Sequence, residues 1–163
     1  LMYYVDEEDN IIRSAFRSEI ESQNLTCRGA AAFVFNEKGE IFIHQRSLTK
    51  ENFPGYYDFM VVGGVKFGEK YEEAAKREIR EEIGINNFSL HPLFKKKTYA
   101  KKNVFFSVFK CITNDPIKIQ EDEIIKGQFI SLEKLQEMIE TETFCSNLLP
   151  LLNKYLGEHH ETT

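Results

Sequence analysis

The segment GAAAFVF, residues 29–35, constrains the fold of this chain more than any other. Its apolar residues follow one another without alternation, so a strand made from them has no face left for water. Such a strand lies inside a sheet with a layer packed against each side. Its neighbours supply a hairpin partner. NEKG at 36–39 is turn chemistry, and IFIHQR at 41–46 suits the returning strand.

Other elements follow from local signals. Residues 2–13 read as a short extended pair around the turn-like EEDN at 7–10, and 14–24 as a short helix. SLTKENFPGYY at 47–57 is a loop punctuated by Pro54 and Gly55, DFMVV at 58–62 is a short strand, and the glycines of GGVKFGE mark a second loop. Helical spacing runs from Lys70 to Ile83, with Gly84 placed to end it. Strands are expected at 88–99 and 103–112, joined around Ala100–Lys102, and at 126–131. Helices are expected at 132–141, with Ser131 as N-cap, and at 144–156. The order of strands, helix, strands and helices predicts an α/β fold, a mixed sheet with helices on both faces. At 163 residues one domain is expected. We assign it to 29–157, with an N-terminal extension, 1–28, packed on it and a disordered polar tail, 158–163.

The formal net charge of −5 argues against long polyanions and anionic membranes as main partners. No stretch approaches the roughly 18 apolar residues of a spanning helix. The N-terminal LMYYVDEEDN turns acidic within a few residues, unlike a secretory signal. Cys27, Cys111 and Cys145 show neither CxxC nor CxH spacing and read as buried thiols in a reduced compartment, so a cytoplasmic location is expected. Lys95–Lys97, with Lys101 and Lys102 beside Tyr99, form a basic cluster that reads as a solvated hairpin rather than a nucleic-acid patch.

Residues 63–85, GGVKFGEKYEEAAKREIREEIGI, carry the chemistry. On a wheel of about 100° per residue, Tyr71, Ala75, Ile79 and Ile83 form an apolar stripe. Glu78, Glu81 and Glu82 share one arc beside that stripe, and Lys76, Arg77 and Arg80 point elsewhere. Glu73–Arg77 and Arg77–Glu81 are favourable pairs four residues apart, whereas Glu78–Glu82 is a repulsive one worth a few tenths of a kcal/mol. Clustered carboxylates beside a core face repel unless a cation joins them, and hard divalent ions such as Mg2+ or Mn2+ prefer these oxygen ligands. A glycine-rich loop feeding a helix can also bring backbone close to a ligand.

Gly63, Glu69 and the stretch Arg77-Glu78-Ile79-Arg80-Glu81-Glu82-Ile83-Gly84-Ile85 stand at the spacing of the Nudix box, and the segment resembles it at every defined position. The resemblance implies the Nudix fold, an α/β/α sandwich with a mixed β-sheet. It implies Mg2+- or Mn2+-dependent hydrolysis of a diphosphate linked to another moiety, a small-molecule substrate. It places the metals on Glu78, Glu81 and Glu82, and gives Gly63, Glu69 and Arg77 the support of the loop and helix. Glu69 could serve as an additional outer metal ligand. The base is Glu81, Glu82 or a glutamate outside the box, with Glu123 the outside candidate and Glu121 its competitor. Arg46 resembles the family's phosphate-side arginine, and Arg28 and Lys66 are further substrate-binding candidates. Phe53, Tyr56, Tyr57 and Phe59 either stack on substrate or belong to the core. The N-terminal extension could contribute to a homodimer.

The flanks, at 5–20, 35–47 and 53–59, look like the Nudix branch related to isopentenyl diphosphate isomerase. The isomerase's catalytic cysteine and metal-binding histidine have no counterparts here. Val61 and Val62 stand at the cysteine positions, Gly64 at the histidine, and Cys27-Arg28 where a His-Arg pair precedes the first core strand. Hydrolysis is therefore favoured over isomerisation. A non-catalytic nucleotide-binding Nudix domain would lack box glutamates that are all present here.

Overall fold

The computed structural model describes residues 1–99, 102–120, 122 and 124–159. The apolar run becomes β3, Cys27–Phe35. Along one side it pairs in parallel with β8, Val104–Thr113, from Cys27↔Val104 to Phe35↔Ile112. On its other side it meets β6, Val61–Gly64, antiparallel from Gly29↔Gly64 to Ala32↔Val61. The same side of β3 receives β1, Met2–Val5, at Tyr4↔Cys27 and β4, Ile41–Arg46, at Phe35↔Ile41. β2, Ile11–Ala15, pairs with β1, and β7, Phe88–Thr98, with β8. β4 carries β5, Tyr57–Asp58, and β9, Ile124–Ile130. One parallel and several antiparallel pairings make the sheet mixed, as expected.

Alternate residues of β3 face two different cores. Ala30, Ala32 and Val34 pack under α2, Tyr71–Ile83, against Ala74, Ala75, Ile79 and Ile83. Ala31, Phe33 and Phe35 pack on the opposite face, against Leu135 of α3, Leu132–Thr141, and Leu151, Leu152 and Tyr155 of α4, Leu149–His159. Both sets are buried, which is why the strand reads as continuously apolar. Burying each large side chain contributes about 1.5–3 kcal/mol. Ser131 caps α3 by accepting from the Lys134 amide at 3.0 Å, and Gly84 ends α2 in the left-handed conformation at φ 63°.

Three expectations shift. The first helix is shorter, α1 at Arg17–Ser22, because β2 extends to Ala15. The expected strand at 58–62 is two strands, β5 and β6, and Gly63–Gly64 belong to the sheet rather than to the loop. Both glycines are paired with β3, Gly63 with Ala30 and Gly64 with Gly29, so glycine faces glycine across β3 and β6. The last helix is preceded by a 3-10 turn at Ser146–Leu148 and runs to His159, into the segment expected to be a disordered tail; residues 160–163 lie outside the described residues.

The N-terminal hairpin is clipped down by Asp9. Its carboxylate accepts from Arg28 Nε at 2.8 Å, from Tyr71 Oη at 3.0 Å and from Lys95 Nζ at 3.0 Å. Asp9 is left-handed at φ 66°, a conformation that aspartate tolerates well. Two more lysines of the basic hairpin are engaged: Lys97 meets Glu7 at 2.6 Å and Lys102 meets Glu21 at 2.8 Å. These lysines bind the acidic N-terminal segment; Lys101 lies outside the described residues. Asp9→Ala is expected to destabilise the protein by about 2–3 kcal/mol, because it strands a part-buried guanidinium. Urea unfolding checks this.

Candidate active site

The site is built where β6 meets α2. Arg77 is its hub. Its guanidinium grips Glu69 through two bonds, Nε to Oε2 at 2.8 Å and Nη2 to Oε1 at 2.9 Å. Nη2 also donates to the Gly64 carbonyl at 3.0 Å, and Nη1 to Glu78 Oε1 at 2.6 Å and Glu81 Oε2 at 3.4 Å. Planar, bidentate geometry of this kind is what arginine offers and lysine does not. The hydrogen bonds from Arg77 hold the Glu69 carboxyl below its ordinary range, and Glu69 in turn raises the guanidinium's pKa. Glu69 Oε1 also accepts the Lys66 amide at 2.8 Å, so the loop is laced to the helix. The expected partner of Arg77 within the helix, Glu73, instead caps the N-terminus by accepting the Lys70 amide at 3.3 Å.

Gly63 sits directly against Glu78: a Cβ there would overlap the carboxyl group. The glycine is therefore required for close approach, and the Glu78 side chain is only 16% exposed. The Glu81 side chain is 56% exposed. Its carbonyl accepts from Gln120 Nε2 at 2.5 Å, which ties the end of the helix to the chain before β9. Glu82 lies one residue further on, half-buried. Glu123 and Glu121 lie outside the described residues.

The donor set fits Mg2+ or Mn2+, since all three residues offer carboxylate oxygens. Among the described residues no three acidic, cysteine or histidine side chains are gathered closely enough to enclose an ion. Instead a cation, Arg77 Nη1, already stands between Glu78 and Glu81.

The proposed phosphate contacts divide. Arg46 stays at the end of β4, where Nε donates to the Asn52 carbonyl at 3.1 Å. Arg28 is turned to Asp9 and stacks between Tyr3 and Tyr71, a structural engagement. Lys66 contributes its amide to Glu69, and its exposed side chain adds a positive charge nearby. Of the four aromatics, Phe59 is wholly buried and Tyr57 packs on Phe144, whereas Phe53 and Tyr56 pair with each other in the loop at 5.3 Å between ring centroids.

Sequence reading missed a buried polar pair beside Arg46. His44 and Asp58 are cross-strand neighbours in β4 and β5 and are 5% and 6% exposed. Burial pushes Asp58 up to about 7, although its Oδ1 accepts the Met60 amide at 3.1 Å. Burial, then the Arg46 charge, pushes His44 down to about 4, and its Nδ1 has no hydrogen-bond partner among the described residues. The folded state thus holds the Asp58 proton more tightly than the unfolded chain. That preference costs stability as pH rises from about 4 to about 7, and the loss is complete above about 7. Asp58→Asn keeps the acceptor and removes the titration. It is expected to match the wild type near pH 4 and exceed it by about 4 kcal/mol at pH 8, as read by urea unfolding.

Residues 25–151 match the NUDIX domain model, so the chain belongs to the Nudix family and is a hydrolase of that type. It is 33% identical to the uncharacterized Nudix hydrolase PA4841 of Pseudomonas aeruginosa, over 96% of this chain and 93% of that protein. It is 32% identical to the uncharacterized Nudix hydrolase YfcD of Escherichia coli K12, over 80% and 73% respectively. Its fold resembles the crystal structure of DR0079 from Deinococcus radiodurans, with TM-score 0.77, 26% identity and coverage of 94% and 97%. It also resembles a MutT protein from Methanosarcina mazei Go1, at TM-score 0.65, 25% identity and coverage of 82% and 94%. No helix among the described residues is long and apolar enough to cross a membrane.

Proposed function

We propose that this protein hydrolyses the diphosphate bond of a nucleoside diphosphate linked to another moiety, by attack of water on phosphorus, with Mg2+ or Mn2+ held by Glu78, Glu81 and Glu82. The observation that carries this reading is the seating of Glu78: its carboxylate is pressed on the Gly63 backbone and fixed by Arg77, which Glu69 orients in turn. A carboxylate so placed has little freedom to lose when it takes up a ligand. The metals, when bound, supply an activated water and neutralise charge on the phosphoryl oxygens. Glu81, Glu82 or Glu123 accepts the water's proton. Arg46 and Lys66 add positive charge for the phosphates, whereas Arg28 is engaged by Asp9. Three buried thiols suit a reduced, cytoplasmic setting.

The isomerase reading has less support. Cys27, Val62 and Gly64, which occupy the positions of its catalytic and metal-binding residues, line one cavity in which burial holds the Cys27 thiol protonated. To separate the two readings, nucleotide sugars, dinucleotide polyphosphates, nucleoside triphosphates, coenzyme diphosphates and isopentenyl diphosphate are each incubated in 18O-labelled water. Phosphate-bearing products with one 18O are expected. Unlabelled dimethylallyl diphosphate, with no 18O-labelled phosphate product from any compound, would sink the proposal.

A further inference from the structure

Behind Gly63 and Gly64 lies a cavity of about 160 Å³ whose walls are Met2, Ile20, Cys27, Val62, Val104 and Phe106. A larger polar recess of about 550 Å³, which reaches Asn24 and Asn52, shares Arg17, Ile20, Glu21 and Lys102 with it. With these four residues common to both, the two adjoin as one trough. Its inner wall is the strand that presses on Glu78, so the trough is one backbone thickness from the carboxylates of the box.

Two features say what it takes. The first is the pattern of charges. Of the basic groups at the trough, Lys102 is paired with Glu21 and Arg28 with Asp9. Arg17 makes no side-chain hydrogen bond or ion pair among the described residues, although its guanidinium hangs over Gly64, with Nη2 3.9 Å from where a Cβ would stand. After the closer Lys102, its charge helps to hold the Glu21 carboxyl below its ordinary range, and a cation with no side-chain hydrogen bond of its own beside a diphosphate site is suited to a phosphoryl oxygen. The second is the inner lining. Besides the charged Arg17, Glu21, Arg28 and Lys102, its side chains are aliphatic, sulfur and phenyl groups, with no neutral amide or hydroxyl among them. A nucleobase edge seated there would leave its donors and acceptors unpaired, whereas a hydrocarbon would not. At about 30 Å³ for each water-sized unit, the inner cavity holds about five such units.

We propose that this trough seats the moiety to which the substrate's diphosphate is joined, that its inner end selects a compact apolar group of about five heavy atoms, and that Arg17 binds a phosphoryl oxygen at its mouth. The inference rests on the hydrolase reading above and names the chemistry of the substrate's second half. It gives the N-terminal segment a part in specificity, since Met2, Arg17 and Ile20 all precede the segment matched by the family model.

The test uses the full chain and adenosine diphosphate esters whose terminal phosphate carries a methyl, butyl or octyl group. The wild type is expected to prefer the butyl ester in kcat/KM. Arg17→Met, an exposed change, is expected to raise KM about tenfold for all three esters while kcat holds. Val104→Phe, which fills the cavity, is expected to abolish the butyl preference while methyl ester turnover persists. An unchanged KM in Arg17→Met, or an unchanged ester ranking in Val104→Phe shown by circular dichroism to be folded, overturns the inference. Should Val104→Phe not fold, KM in Arg17→Met and the wild-type ranking decide. No turnover of any ester by a wild type that cleaves another diphosphate, or turnover without chain-length preference, removes the inference alone; no turnover of any diphosphate tested removes the proposed reaction and this inference with it.

Discussion

Glu82→Gln is expected to reduce diphosphate turnover by about three orders of magnitude and leave the fold intact. The substitution keeps the shape of the side chain and removes its charge, and with it a metal ligand and one of the possible bases. Stability is expected to move the other way. Glu78 and Glu82 are like charges four apart on α2, so neutralising one relieves a repulsion of a few tenths of a kcal/mol. Steady-state kinetics and a thermal melt on the same preparation read both effects. An inactive variant that melts at or slightly above the wild-type temperature identifies a functional carboxylate. Retained activity removes Glu82 from the site.

Gly63→Ala is expected to have the second largest effect. A methyl group at this position overlaps the Glu78 carboxyl, and neither neighbour can yield easily. β6 is held by its register with β3 at Ala30↔Gly63, and α2 is anchored through Ile79 and Ile83, both fully buried. Glu78 must therefore swing away and give up its 2.6 Å bond with Arg77. The expected outcome is a loss of about 1–3 kcal/mol in urea unfolding and at least about a hundredfold in kcat. Gly157→Ala provides the contrast. It lies in α4 with nothing within 4 Å of the added Cβ, so the change is expected to be neutral or to stabilise by up to about 1 kcal/mol.

Much of the fold was legible because its signals are local. β3 announces itself by an apolar run that only an interior strand can use, and α2 by a stripe of residues four apart ended by a glycine. The limits of α3 emerge as expected for the same reason, with Ser131 as its cap. What escaped is set by distant partners. Gly63 and Gly64 look like loop residues until Ala30 and Gly29 of β3 pair with them and Glu78 is brought against Gly63. Arg77 has a favourable partner in Glu73 within its helix, yet Glu69 wins because the loop delivers its carboxylate in bidentate geometry. Asp9 reads as a turn residue; only the folded chain brings Arg28, Tyr71 and Lys95 to it. His44 and Asp58 carry no motif at all, and their buried pairing arises from strand register. Arg17 is one of several basic residues in the sequence, and it stands out only because its neighbours are committed elsewhere.

At the centre lies the reading of Glu78, Glu81 and Glu82 as carboxylates that hold Mg2+ or Mn2+ for diphosphate cleavage. The most direct measurement is turnover of a responsive diphosphate by the wild type, first stripped of metal with a chelator and then titrated with Mg2+ or Mn2+. No turnover in the chelator, with saturable recovery as either ion is added, is the expected result. Full turnover in the chelator, or no recovery with either ion in a protein that remains folded, contradicts it.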